Sequence, residues 1–294
     1  ISLELASSCN MKCSYCYHAD KQNLPFAQGI MDKDMALCII SEAAHLGVNS
    51  LKFNYRGEGT LNPHYTWITT YAKSLAGGST FIDRLANTNF KISPKKRDDR
   101  FIGLANLTKV KVSYDSFRKD VFEYQRDGGN HDLTTENIDL FYNHPARIKS
   151  ETQLVIQAVR TTLNKDEDIE GTTKKRWPEA EVSIRDMVAG RVEKDVSEFE
   201  DKERDFANRQ ACKQAFVRII FTHEGKALPC CPSIKEDLVI GDYRNESVGA
   251  IFNGKRANEL RKRLKNMSAF DVYDACKNCS SFESFKGYQA PWSS

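Results

Sequence analysis

The sequence predicts an α/β fold, a parallel sheet or α/β barrel over its first two thirds, followed by a smaller cysteine-bearing domain. Strand-like and helix-like stretches alternate about six times before residue 190, the pattern of a parallel sheet with crossover helices. Charged residues then dominate Val192 to Asn208, as in an exposed helix or linker. Beyond that point lie five of the nine cysteines, in a segment with little apolar core of its own.

In chain order, Ile1 to Ala6 alternates like a strand. Asp32 to Leu46 reads as an amphipathic helix whose apolar face holds Met35, Leu37, Cys38, Ile39, Ala43 and Leu46, with Gly47 as its stop. On that face Cys38 is expected to be a buried core thiol. A strand at Ser50 to Tyr55, a helix at Tyr65 to Leu75 and strands near Thr80 to Leu85 and at Lys109 to Tyr114 follow. Thr134 to Tyr142 is the next helix, and Gln153 to Thr161 and Glu181 to Val188 are the last strands of the series. Ser93 to Arg100 reads as a basic, proline-containing connection. Lys165 to Pro178 reads as a polar loop covering one rim, with Trp177 at its end.

The 294 residues are 40% hydrophobic and 28% charged, an ordinary balance for a globular protein with a substantial core. No apolar run reaches the length of a membrane span. Net charge is +3 and mixed in sign along the chain, without the basic block of a nucleic-acid footprint. The start lacks Met and a signal-like leader, so the expectation is a cytoplasmic protein trimmed at its start. An odd number of cysteines in clusters points to metal or redox chemistry instead of a disulfide scaffold.

Cys9, Cys13 and Cys16 place three thiols within eight residues. A structural zinc site takes four ligands and a [4Fe–4S] cluster has four irons, so three thiolates leave one coordination position open. A zinc knuckle with His18 as the nearest fourth ligand is the alternative.

The spacing CxxxCxxC, with aromatic Tyr15 before the last cysteine, resembles the cluster motif of the radical S-adenosylmethionine (SAM) superfamily. The resemblance implies a partial (β/α)6 barrel. It also implies that Cys9, Cys13 and Cys16 hold a [4Fe–4S] cluster whose unique iron binds SAM, and that Tyr15 belongs to the cofactor pocket. Reductive cleavage of SAM would then yield a 5′-deoxyadenosyl radical that abstracts hydrogen from a substrate. Tyr55-Arg56-Gly57-Glu58-Gly59 resembles the glycine-glycine-glutamate-proline motif that binds the SAM amino group, with Arg56 at the first glycine and Gly59 at the proline. Val112 to Ser116 is similar to a fourth-strand motif in which Ser113 would touch the ribose. Arg126 occupies the place of an arginine that pairs with the SAM carboxylate. Asn87-Thr88-Asn89 resembles a third-strand Thr-Asn-Gly, with Phe90 at the glycine.

Cys212, Cys230, Cys276 and Cys279, with a glycine turn at Glu224-Gly225-Lys226 between strands Phe216 to Thr222 and Ala227 to Pro229, resemble the SPASM/twitch domain of such enzymes. The resemblance implies one auxiliary [4Fe–4S] cluster, because no cysteine remains after the last CxxC to build a second. Cys231 competes with Cys230 as the ligand, and a zinc ribbon is the alternative. Ile240-Gly241-Asp242 and a helix near Val248 to Asn253 fit the segment between the ligands. The implied domains are a barrel over 1–190, a linker over 191–211, a twitch domain over 212–280 and a tail over 281–294. The implied function is an oxidation of a small alcohol or sugar, or peptide maturation, with an electron donor such as flavodoxin or ferredoxin. A radical enzyme modifying a nucleotide or tRNA and a non-catalytic zinc module are the other readings.

Overall fold

The computed structural model describes residues 1–187, 212–277 and 279. The linker expected from Val192 to Asn208 and the tail over 281–294 lie outside the described residues. Six parallel strands form the first part: β1 (Ser2–Leu3), β2 (Ser50–Lys52), β3 (Asp83–Thr88), β4 (Lys109–Ser113), β5 (Gln153–Arg160) and β6 (Glu181–Asp186). Each pairs with the next in chain order. Among the described residues β6 and β1 do not pair with each other, so the barrel is incomplete.

Helices cross between the strands: α1 (Lys33–His45), α2 (Tyr65–Ser74), α3 (Arg97–Ala105), α4 (Lys119–Gln125), α5 (His131–Tyr142), α6 (Pro145–Lys149) and α7 (Ile169–Arg176). The start of α1 is set by Asp32, whose Oδ1 accepts from Met35 N at 3.0 Å. Its end is set by Gly47 at φ +66°. Ala36, Ile39, Ile40 and Ala43 are its buried stripe, at the spacing one helix face requires. Cys38 falls off that stripe and is exposed, which corrects its expected place in the core. Under α3 and α5 the rings of Phe90, Phe101 and Phe141 pack with centroids 5.3 to 5.9 Å apart.

Several boundaries differ from the sequence reading. β3 begins three residues later than Thr80 and runs on to Thr88, because Phe81 at φ +51° turns the chain before the strand starts. Ser93 to Arg100 is not merely a connection, since Pro94 opens a 3-10 turn and α3 starts at Arg97 with Asp98 and Asp99 in its first turn. The rim stretch Lys165 to Pro178 contains α7, capped by Asp168 and ending on Lys174, Lys175 and Arg176. Trp177 therefore turns inward: it is 1% exposed, packs against Tyr114 and Phe117, and donates its indole N–H to Asp139 at 2.9 Å.

The cysteine-bearing part continues the same sheet. β7 (Ile220–Phe221) adds in parallel to the free side of β1, and β8 (Lys226–Leu228) and β9 (Gly241–Asp242) follow antiparallel. The turn before β8 needs the left-handed backbone that Gly225 supplies at φ +90°. Phe216, expected in a strand, instead lies in helix α8 (Gln214–Val217). α9 (Val248–Asn253), α10 (Lys255–Lys265), α11 (Ala269–Val272) and α12 (Asp274–Lys277) complete this part. It docks on the barrel through Glu42 of α1, whose carboxylate accepts from Tyr243 OH and Val248 N, both at 2.8 Å. No described helix is long and apolar enough to cross a membrane.

Candidate active site

The loop carrying Cys9, Cys13 and Cys16 leaves the C-terminal end of β1. It is tied to the end of α4 by backbone bonds from Lys12 N to Asp127 O at 2.7 Å and Ser14 N to Gln125 O at 3.0 Å. Asn10 Nδ2 donates to Lys91 O at 3.0 Å, and Cys16 N to Cys13 O at 2.9 Å. Burial pushes the Cys9 thiol up to about 11 and Cys13 up to about 12, with the charge of Cys16 helping to raise both and that of Cys9 helping to raise Cys13. Such thiols ionise when a metal replaces the proton. Among the described residues no three Cys, His, Asp or Glu side chains converge closely enough to hold a single metal ion.

Gly57 and Glu58 lie directly beside this loop. Glu58 N donates to Ser8 O at 2.9 Å. A Cβ on Gly57 would press on Ser8 O and stand 2.5 Å from Ala6 O, backbone atoms of the cysteine loop and the strand end before it. Glycine is required there by close approach. Glu58 caps a 3-10 turn (Gly59–Leu61), its Oε1 accepting from Thr60 N at 3.2 Å, Thr60 Oγ1 at 2.7 Å and Thr88 Oγ1 at 2.9 Å. Its Oε2 accepts from Asn89 N at 2.7 Å. Burial holds the carboxyl above its usual range despite the bonds from Asn89, Thr60 and Thr88, and the charge of Glu58 helps raise Cys9.

Ser113 ends β4, half-buried, on the face opposite Val110 and Val112, whose side chains join the helix-facing core. In register with it stands Gln157, and Lys111 pairs with Asn87 one step earlier, so this face of the sheet is polar. Arg126, at the end of α4, is held by Asp115: Nε lies 2.9 Å from Oδ2 and Nη2 donates to Oδ1 at 2.9 Å. Its Nη1 lies 3.9 Å from Cys13 Sγ. Tyr15 donates its hydroxyl to Asp115 Oδ2, the oxygen that also faces Arg126 Nε. Cys13, Tyr15 and Arg126 are thus brought together behind the loop, whereas no side-chain contact among the described residues links Ser113 to them.

In the second part, burial holds the Cys230 thiol well above the usual range, and the charges of Cys276, Cys231 and Cys212 add to this. Cys279 N donates to Cys276 O at 3.2 Å, which puts the last CxxC in one turn. Cys230 follows β8, Cys276 lies in α12 and Cys212 precedes α8, near enough to influence one another but, among the described residues, not drawn into a closed metal shell. Cys231 points at Arg218, whose Nη1 lies 2.7 Å from its sulfur.

Asp115, Thr88, Asn89 and Arg56 complete the site, and none was singled out as a ligand or clamp from sequence. Asn89 also places Nδ2 3.7 Å from Cys9 Sγ. The residue after it, Phe90, adopts φ +58°, the left-handed region that a glycine would enter freely. That explains why a Thr-Asn-Gly pattern suits this position, and the resemblance of Thr88-Asn89 to it was the available signal.

Residues 212–280 match the family model described as SPASM, an iron–sulfur cluster-binding domain. No curated protein matches the chain in sequence. Among solved structures, BtrN in complex with AdoMet and 2-DOIA matches with TM-score 0.61 at 17% identity, over 95% of this chain and 91% of that one. Native anSMEcpe with bound AdoMet matches with TM-score 0.63 at 13% identity, over 89% of this chain and 82% of that one. SuiB of Streptococcus suis bound to S-adenosylmethionine matches with TM-score 0.61 at 13% identity, over 96% and 72%. The chain has the fold shared by these radical SAM enzymes, with a SPASM-type iron–sulfur cluster-binding domain over residues 212–280.

Proposed function

We propose that the protein is a radical SAM oxidoreductase or maturase that removes hydrogen from a small alcohol or sugar, or from a peptide. The observation that carries the reading is the close seat of Gly57 and Glu58 against the three-cysteine loop, where a missing Cβ lets the two backbones meet. Cys9, Cys13 and Cys16 would hold a [4Fe–4S] cluster, and Cys212, Cys230, Cys276 and Cys279 an auxiliary one. When bound, the first cluster and SAM supply an electron and a hydrogen-abstracting 5′-deoxyadenosyl radical.

The chain's own residues then have distinct tasks. Glu58 Oε2, which accepts from Asn89 N, has lone-pair capacity left for the SAM ammonium group. Arg126 offers its remaining guanidinium N–H groups to the SAM carboxylate while Asp115 fixes its plane. Ser113 faces the ribose from the end of β4, and Tyr15 braces the loop through Asp115. Asn87, Lys111, Ser113 and Gln157 line the sheet face turned away from the helices, which suits a hydroxyl-bearing or peptide substrate. Cys230 is favoured over Cys231 as the auxiliary ligand, because Arg218 engages the Cys231 sulfur. Full cysteine ligation leaves that cluster to electron transfer, with flavodoxin or ferredoxin as the donor class and the cytoplasm as the setting.

Anaerobic reconstitution is expected to give about eight irons per chain, and reduction with SAM to give 5′-deoxyadenosine. Deuterium from a labelled alcohol, sugar or peptide should then appear in that product. Stoichiometric zinc with no SAM cleavage would instead identify a binding module. Binding of RNA with a steep salt dependence, together with deuterium transfer from it, would move the reading to RNA modification.

A further inference from the structure

Arg56 stands where a glycine was expected beside Gly57, and its surroundings show why a long cation is there. Its side chain and that of Glu4 are both 0% exposed, and they form a two-pronged pair with Nε 2.7 Å from Oε1 and Nη2 2.7 Å from Oε2. The third arm reaches the other half of the protein: Nη1 donates to Ile234 O at 3.1 Å and to Glu236 Oε1 at 2.9 Å. The guanidinium lies 4.2 Å over the Phe26 ring.

The neighbouring groups point the same way. Tyr55 donates its hydroxyl to Cys231 O and Ser233 O, each at 3.1 Å. On the opposite side, the Arg56 carbonyl lies 3.2 Å from Nε2 of His18, which follows Cys16 by two residues. Glu236 is braced by Lys226 at 2.7 Å, and Glu4 accepts from His223 N at 3.2 Å. One dipeptide thus touches both the 3-10 turn that directly follows Cys16 and the loop that begins at Cys230.

We propose that Arg56 is a positioning residue that fixes the two cysteine loops relative to each other, with Tyr55 and Glu236 as its partners. The inference rests on the proposed function only in taking both loops as cluster-bearing. Lysine cannot replace it, because an ammonium group lacks the planar fork that meets Glu4 twice while reaching Glu236.

The test uses the full chain as Arg56→Lys and Glu236→Ala, with hydrogen exchange read over 231–236 before and after reconstitution, and the EPR spectrum read afterwards. Both variants are expected to speed exchange at 231–236 about tenfold or more while β4 and β5 stay protected. In reconstituted protein the auxiliary signal should change shape in both. Glu236→Ala leaves the Arg56–Glu4 pair in place, so it decides the matter if Arg56→Lys fails to fold. Unchanged exchange at 231–236, equal loss of protection across the whole barrel, or an auxiliary signal identical to wild type would overturn the proposal. Wild-type protein that takes up no auxiliary iron would defeat the functional reading, and the exchange measurement on the same variants would still decide whether Arg56 positions the loop.

Discussion

Asp115 and Arg126 meet carboxylate to guanidinium behind the cysteine loop, with both oxygens 2.9 Å from a guanidinium nitrogen. The Asp115 side chain is fully buried, and its Oδ1 also accepts from Val159 N at 2.9 Å. Removing one partner of such a pair strands a buried charge, so Asp115→Asn is expected to destabilise the protein by about 3–5 kcal/mol. Anaerobic denaturant titration checks this, and a loss under about 1 kcal/mol would show that the pair is not holding Arg126. Replacing both residues with leucine should cost less than the two single changes together.

Glu58→Gln keeps the size of the side chain and removes the charge offered to an ammonium group. SAM affinity is expected to fall by roughly 1.5–3 kcal/mol, as for other hydrogen bonds to charged groups, with the iron content retained. Anaerobic calorimetry of SAM binding reads the loss. Unaltered affinity would remove Glu58 from the cofactor site.

Gly57→Ala presses a methyl group onto Ser8 O and onto Ala6 O, the latter at 2.5 Å. Both atoms are backbone, so the cysteine loop itself must shift, at a cost of about 1–3 kcal/mol. The expected result is lower iron retention at the first site and weaker SAM binding, seen together. An alanine variant that loads and binds like wild type would mean the loop yields freely.

Cys230→Ser is expected to lose about four irons after reconstitution, and Cys231→Ser to lose none. Elemental analysis separates the two. The reverse order of losses would reassign the ligand to Cys231 and the arginine contact to Cys230.

Glu4 supplies an acid-sensitive point. Burial pushes its carboxyl up, but the hydrogen bonds from Arg56 and His223 and the charge of Arg56 bring it below the ordinary 4.5. A lowered carboxyl contributes stability that is present above its unfolded value and lost as pH falls through the folded one. The difference in stability between wild type and Glu4→Gln should therefore be widest near neutral pH and shrink below 4.5. Unfolding midpoints measured across that range provide the check, and a constant difference would contradict it.

The sequence made the repeating elements legible where apolar spacing was regular, as in α1, β4 and β5. It misled where local chemistry overrode composition. Lys165 to Pro178 looks like a loop because its residues are polar, yet the Asp168 cap and terminal cations make a helix of it. The cysteines were readable because spacing alone carries their meaning. Asp115 and Arg56 were not, because their roles depend on partners 11 residues away in one case and 52 and 180 in the other. No local pattern encodes such distances. Phe90 hid its position for a similar reason: its left-handed backbone is invisible in a residue type that usually avoids it.

The pairing of Ser2 with Ile220 and Leu3 with Phe221 has a consequence for how the molecule assembles. The strand that leads into Cys9 is synthesised well before its outer partner, so its outer edge stays open for most of translation. Contacts this far apart in sequence form late and slowly. Until they form, β1 presents unpaired amides to any other strand nearby, a hazard for aggregation. A fragment ending at the barrel would keep that edge permanently, and co-expression of the missing segment should improve its recovery by covering it.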